Sequence, residues 1–175
     1  MINNRAAFLL ANLIIATTIT MPAAGSGLAT EQALQRPDRL LIIKSKRKLY
    51  LLKDGRVLKS YKVSLGENPL GHKVREGDNR TPEGNYVIDW RNPNSRFYRS
   101  IHISYPNNSD RQRARKLGVP PGGDIMIHGL PNEMGRLVFR FRGQDWTEGC
   151  IALSNEAMTE VWEIVAENTP IDIVP

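Results

Sequence analysis

Apolar positions come in short runs through most of the chain. Leu40-Leu41-Ile42-Ile43, Lys48 to Leu52 and Arg56 to Ser64 are β-prone stretches. Asp54-Gly55 separates the second from the third, a strong hairpin signal because a tight two-residue turn needs positive φ at both positions. In the third run Val57, Lys59, Tyr61 and Val63 share one face while Leu58, Ser60, Lys62 and Ser64 share the other. That predicts one half-buried face and one wet face. Asn85 to Trp90 and Ser100 to Tyr105 read as two further strands, the second with His102 and Ser104 opposite Ile101, Ile103 and Tyr105. Ile125-Met126-Ile127 is another strand, ending at His128, and Pro170 introduces the last one, Ile171 to Val174.

Two helices interrupt this pattern. Asn108 to Gly118 is short and basic, with an Asn or Ser cap, a glycine end and Pro120-Pro121 as a stop. Its cations Arg111, Arg113, Arg115 and Lys116 read as a solvated face. The second helix starts at Ser154-Asn155-Glu156 and carries Met158, Val161, Trp162 and Val165 at i, i+3, i+4 and i+7, a core-packing stripe. The stretch from Gly66 to Gly84, punctuated by glycine and proline, is too long for an ordinary connection and predicts an active-site wall or a mobile loop. Many short strands with two short helices make a mainly β sandwich or barrel over residues 39–175.

The residues before Arg39 have another character. Arg5 precedes a mostly apolar run from Ala6 to Met21, and small residues follow from Ala23 to Ala29. Residues 1–29 therefore read as a secretory signal peptide, with an uncleaved anchor as the other reading, and residues 30–38 as a flexible leader. The run falls short of the roughly 20 apolar residues of a spanning helix. The expected location is outside the cytoplasm, in the periplasm or cell envelope. About 146 residues remain, enough for one domain. Of 24 basic residues only Arg5 lies in the signal, leaving an excess of five over the 18 acidic ones. That surface suits anionic partners such as wall polymers. No zinc-type spacing or arginine-rich arm points to nucleic acid.

Export makes the single cysteine informative, because a lone thiol in an oxidising compartment has no partner for a bridge. Cys150 follows Gly149, so the backbone beside its sulfur is uncrowded. His128 ends an apolar run, where a sheet can present a rigid side chain. Together they suggest a thiol nucleophile with an imidazole base, since a thiol near pKa 8.5 (about) is mostly protonated at neutral pH. The backbone N–H groups of Gly149 and Cys150 are the natural oxyanion donors. The bland reading is a wall-binding module with a buried, inert cysteine. A papain-like peptidase has cysteine before histidine, the reverse of this order.

The chain resembles the YkuD-type L,D-transpeptidase family of bacterial cell-wall enzymes, in its YafK-like branch. The resemblance rests on GHKVREGDNRTPEGNY from Gly71 to Tyr86, HISYPN from His102 to Asn107, and PGGDIMIHG followed by DWTEGCIAL. It implies an L,D-transpeptidase-like β-sandwich in which Cys150 attacks the L-centre carbonyl of a wall tetrapeptide stem and D-alanine leaves. An amine then takes the acyl group; water in its place makes the protein a hydrolase of stem peptides or of wall-lipoprotein links. The resemblance also implies that the Gly129 carbonyl orients His128, and it implies no metal or organic cofactor. The expected partners are peptidoglycan stem peptides and a wall-linked lipoprotein, with a monomeric protein and no nucleic acid.

The match departs around the nucleophile. The family's usual Ser-His-Gly-Cys reads Thr147-Glu148-Gly149-Cys150 here, and Ala152 replaces an arginine or asparagine. Thr147 and Glu148 are therefore candidate substrate-binding residues, Glu148 on the acceptor side. Arg80, His102 and Tyr105 are candidates for binding the stem's carboxylates.

Overall fold

The computed structural model describes residues 36–133 and 143–175. The signal-peptide reading of 1–29 and the leader up to residue 35 lie outside the described residues. The end of the leader belongs to the folded body, which corrects its expected extent. Pro37 is buried, and Asp38 donates its N–H to Leu52 O at 2.9 Å while its carboxylate accepts the Asp54 N–H at 2.8 Å. Among the described residues no helix is long and apolar enough to cross a membrane.

The elements in chain order are β1 (Arg39–Ile43), β2 (Lys48–Lys53), β3 (Arg56–Lys62), β4 (Gly84–Asn92), β5 (Ser100–Ile103), α1 (Asn108–Lys116), β6 (Met126–His128), β7 (Ile151–Ala152), α2 (Asn155–Ile164) and β8 (Pro170–Val174). The fold is mainly β with two helices, as the patterning predicts. The strands order as β3-β2-β1-β8-β4-β5-β6-β7. The last strand in the chain is thus central, antiparallel to β4 and parallel to β1. The sheet curls until its ends meet: just past β3, Ser64 exchanges both backbone hydrogen bonds with Ala152 of β7, at 2.9 and 2.8 Å.

Alternation drives the packing. Leu40, Ile42, Leu49, Leu51, Ile88, Ile101, Ile103, Ile127, Ile151, Ile171 and Ile173 all turn inward and are essentially solvent-free. Asp54 and Gly55 both take positive φ, as their turn requires. The hairpin departs from expectation at its outer end. Tyr61 and Val63 are buried, but Val57 is 58% exposed. A register shift between Leu51 and Leu52 reverses the alternation there, so that Leu58 rather than Val57 packs against the core.

Both helices form where their caps predict. Asn107 and Asp110 make a reciprocal capping box at the start of α1, and Ser154 accepts the Ala157 N–H at the start of α2. Met158, Val161 and Val165 bury the stripe of α2.

The long loop after β3 is held by two charges. Lys44 is 2% exposed, and its ammonium donates to Gly71 O at 2.7 Å, Thr81 O at 3.0 Å and Glu83 Oε1 at 2.8 Å. Burial pulls its pKa down, while Glu83 acts in the opposite direction. Within the loop the Asp78 carboxylate collects the N–H groups of Val74, Arg75 and Arg80 and the Lys73 ammonium. Burial opposes that charge, yet these donors hold it below the usual carboxylate range. The loop is therefore a wall tied to the sheet.

Removing one partner of a buried pair leaves the other uncompensated. Lys44→Ala is expected to cost about 3 kcal/mol, the lower end of that range because Glu83 keeps some water. A urea midpoint unchanged from the parent would refute this.

Candidate active site

The site is built on the shortest strand of the sheet. β7 pairs with β6 in parallel, Ile127 beside Ile151 and His128 beside Ala152. The two isoleucines point into the core, so Met126, His128, Cys150 and Ala152 take the outer face. Cys150 and His128 are thus diagonal neighbours across one strand gap, about 7–8 Å apart at Cα, within reach of an imidazole.

The turn into β7 is over-determined. Thr147 donates its N–H to Leu65 O at 3.1 Å and accepts the Glu67 N–H at 2.9 Å. Its hydroxyl donates to Cys150 O at 2.7 Å and accepts the Gly149 N–H at 3.2 Å. Thr147 is 4% exposed with its hydroxyl committed, so it positions the turn. The Gly149 N–H, expected as an oxyanion donor, is held by the Thr147 hydroxyl. Gly149 is required for its shape. Its φ is +128°, and a Cβ there would stand 2.6 Å from Arg80 O.

His128 is 3% exposed, beneath the rings of Phe97 at 4.6 Å and Trp146 at 5.7 Å. Its Nδ1 lies 2.6 Å from Gly129 O. A carbonyl can only accept, so Nδ1 carries the proton and Nε2 is the basic nitrogen. Gly129 is itself held tightly, since a Cβ would meet Asn155 Oδ1 at 2.6 Å and Tyr98 Cβ at 2.9 Å. The Cys150 sulfur accepts the Met126 N–H at 3.4 Å and donates to Asp124 O at 3.6 Å.

Electrostatically both groups are kept neutral. Burial pushes the Cys150 thiol up; the Met126 N–H and Lys73 oppose this, while Asp124 and Glu148 add to it. Burial also pulls His128 down to about 4, against the influence of Gly129. At neutral pH the resting pair is a thiol and an uncharged imidazole.

The L,D-transpeptidase catalytic domain model of the YkuD family matches residues 37–173. The chain belongs to the YkuD family. YafK of Escherichia coli K12 is 32% identical over 142 residues, covering 77% of this chain and 50% of its own. The chain spans about half the length of the curated relatives it matches. The helical cell shape determining protein Pgp2 of Campylobacter jejuni is 27% identical at a TM-score of 0.58, over 77% of this chain and 46% of its own. Bd1075 of Bdellovibrio bacteriovorus shares the fold at 22% identity and a TM-score of 0.53, over 79% and 48% of the two chains.

Within this YkuD domain the remaining candidates separate. Glu148 is exposed close enough to the sulfur to act on its charge. Arg80 abuts Gly149 through its backbone, while its guanidinium lies beside Gly71. Tyr105 is 2% exposed and donates to Pro121 O at 2.9 Å, a structural tie. The His102 Nδ1 is 2.6 Å from Asp89 Oδ1, so a second carboxylate beside it would meet repulsion from the first. The residues missed from the sequence are Phe97, Trp146, Lys73 and Asp89. Trp146 lies within DWTEGCIAL and Lys73 within GHKVREGDNRTPEGNY, whereas Phe97 and Asp89 are brought in by folding alone. Among the described residues no group of three or more His, Cys, Asp or Glu side chains gathers as a metal site would.

Thiolates, not thiols, are alkylated. The rate of Cys150 alkylation by iodoacetamide is therefore expected to be still rising at pH 9. A plateau below pH 8 would mean a resting thiolate–imidazolium pair instead.

Proposed function

We propose that this protein is an exported, peptidoglycan-modifying cysteine acyltransferase of the cell envelope. The observation that carries the reading is the β6–β7 register, which sets His128, with its Nδ1–H fixed on Gly129 O, diagonal to Cys150 across one strand gap. As Cys150 attacks the carbonyl of the L-centre in a tetrapeptide stem, Nε2 takes the thiol proton. The Cys150 N–H is placed to stabilise the oxyanion. His128 then returns the proton to the departing amine of D-alanine, leaving a thioester. An amine completes the L,D-transpeptidation.

A neutral resting pair is compatible with this route, because proton transfer accompanies attack and the ion pair exists only when substrate has closed the site. Family membership and the cell-shape role in the Pgp2 name support a wall substrate.

Incubation with a defined tetrapeptide is expected to add the tripeptide acyl mass to Cys150 and release D-alanine. Cys150→Ala should form no adduct, and His128→Gln should slow acylation about 10²–10⁴-fold. The base is active only when unprotonated, so acylation should fall as pH drops through about 4, below the 6.5 of a free imidazole. Turnover by Cys150→Ala would defeat the proposal. Freed peptide without aminolysis, when amines are supplied, would make the protein a hydrolase.

A further inference from the structure

A second imidazole shares the outer face with the nucleophile. In the antiparallel registers Trp90 stands opposite His102, and His102 opposite Met126. Met126 in turn lies against Cys150, whose sulfur accepts its N–H. Trp90, His102, Met126 and Cys150 therefore form one row across four strand positions. His102 and Cys150 are separated by two inter-strand steps, about 10 Å, with Met126 as the floor between them.

The surroundings of His102 are built by a defect in the sheet. The register shifts between Ile88 and Trp90, so one extra residue of β4 stands against β5. Such a bulge re-aims side chains. Here it places Asp89 and Trp90, consecutive in sequence, around one ring. Asp89 Oδ1 lies 2.6 Å from Nδ1, and the Trp90 indole stacks on the imidazole at 4.9 Å with 17° between planes. A carboxylate only accepts, so Nδ1 carries the proton and Nε2 is basic. Nε2 meets no hydrogen-bond partner among the described residues. Trp90 is 42% exposed, whereas His102 beneath it is 8% exposed.

We propose that His102, held by Asp89 and stacked on Trp90, is the acceptor-side base, and that the acceptor it serves is a primary alkyl ammonium. This rests on the acyl-transfer reading of Cys150. An alkyl ammonium near pKa 10 is free amine in only roughly one molecule in a thousand at neutral pH. Attack on the thioester then has two protons to dispose of. His102 Nε2 takes the first, converting the ammonium to an amine, and later releases it to water. The amine nitrogen bonds to the acyl carbon, the C–S bond breaks, and the sulfur leaves with the electron pair. The second proton passes through His128 Nε2 to that sulfur, and the third stays on the new amide. A water acceptor presents only the proton that His128 can return to sulfur, so hydrolysis does not need His102. The Asp89 carboxylate and the open Trp90 face also favour a cation over a neutral or anionic acceptor.

The test separates the two half-reactions. Cys150 is first acylated with the tetrapeptide, and adduct loss is then followed by mass spectrometry with water alone, with D-alanine, or with hydroxylamine, which is already neutral at pH 7. In His102→Gln, acylation and hydrolysis should match the parent, transfer to D-alanine should fall about 10²-fold, and transfer to hydroxylamine should change less than threefold. Asp89→Asn should show the same acceptor dependence, which a folding defect would not produce. Equal losses for both amines, or an equal loss of hydrolysis, overturn the assignment while leaving acyl transfer standing. An absence of any Cys150 adduct in the parent overturns both.

Discussion

Two residues of parallel pairing decide the chemistry of this protein. Ile127 and Ile151 face the core as partners, and that register places His128 and Cys150 on the opposite face. A slip of one residue would send the cysteine into the hydrophobic interior. A ladder this short has too few hydrogen bonds to fix its own register. The neighbours supply the definition: Thr147 secures the turn before it, Gly149 fits over the Arg80 carbonyl, and Ser64 closes the far edge. Lys44 and Asp78 in turn hold the loop that brings Arg80 there. Cys150 is thus placed in part by residues distant from it in the sequence.

Much of the frame was legible because it depends on local rules. The Asp54-Gly55 turn, the start of α2 at Ser154 and the stripe of α2 each follow from neighbours a few positions apart, while the cap of α1 falls at Asn107, just before the expected start. His128 and Cys150 draw notice for a different reason: a lone thiol is chemically conspicuous, and the surrounding motifs match a known family. What could not be read depends on contacts distant in sequence. Thr147 and Tyr105 look like polar ligands until their hydroxyls find backbone partners inside the fold. Lys44 looks like an ordinary surface lysine until two carbonyls and Glu83 converge on it. Asp89 is one acid in a strand, and only a bulge turns it toward His102.

The two imidazoles show how environment divides labour between identical side chains. His128 leans on a backbone carbonyl under two aromatic rings, an arrangement that favours the neutral form. His102 leans on a carboxylate, which holds the ring by Nδ1. The same side chain is thus anchored by a neutral acceptor in one place and by a charged one in the other.

The closure of the sheet at Ser64 and Ala152 also bears on how a peptide can approach. Many proteins bind extended peptides by adding them as a further strand to an open sheet edge. Here the edge of β7 is already taken, its N–H and C=O paired with Ser64. An extended peptide meeting this edge would find no free N–H or C=O at Ala152 and could be held there only through its side chains and termini.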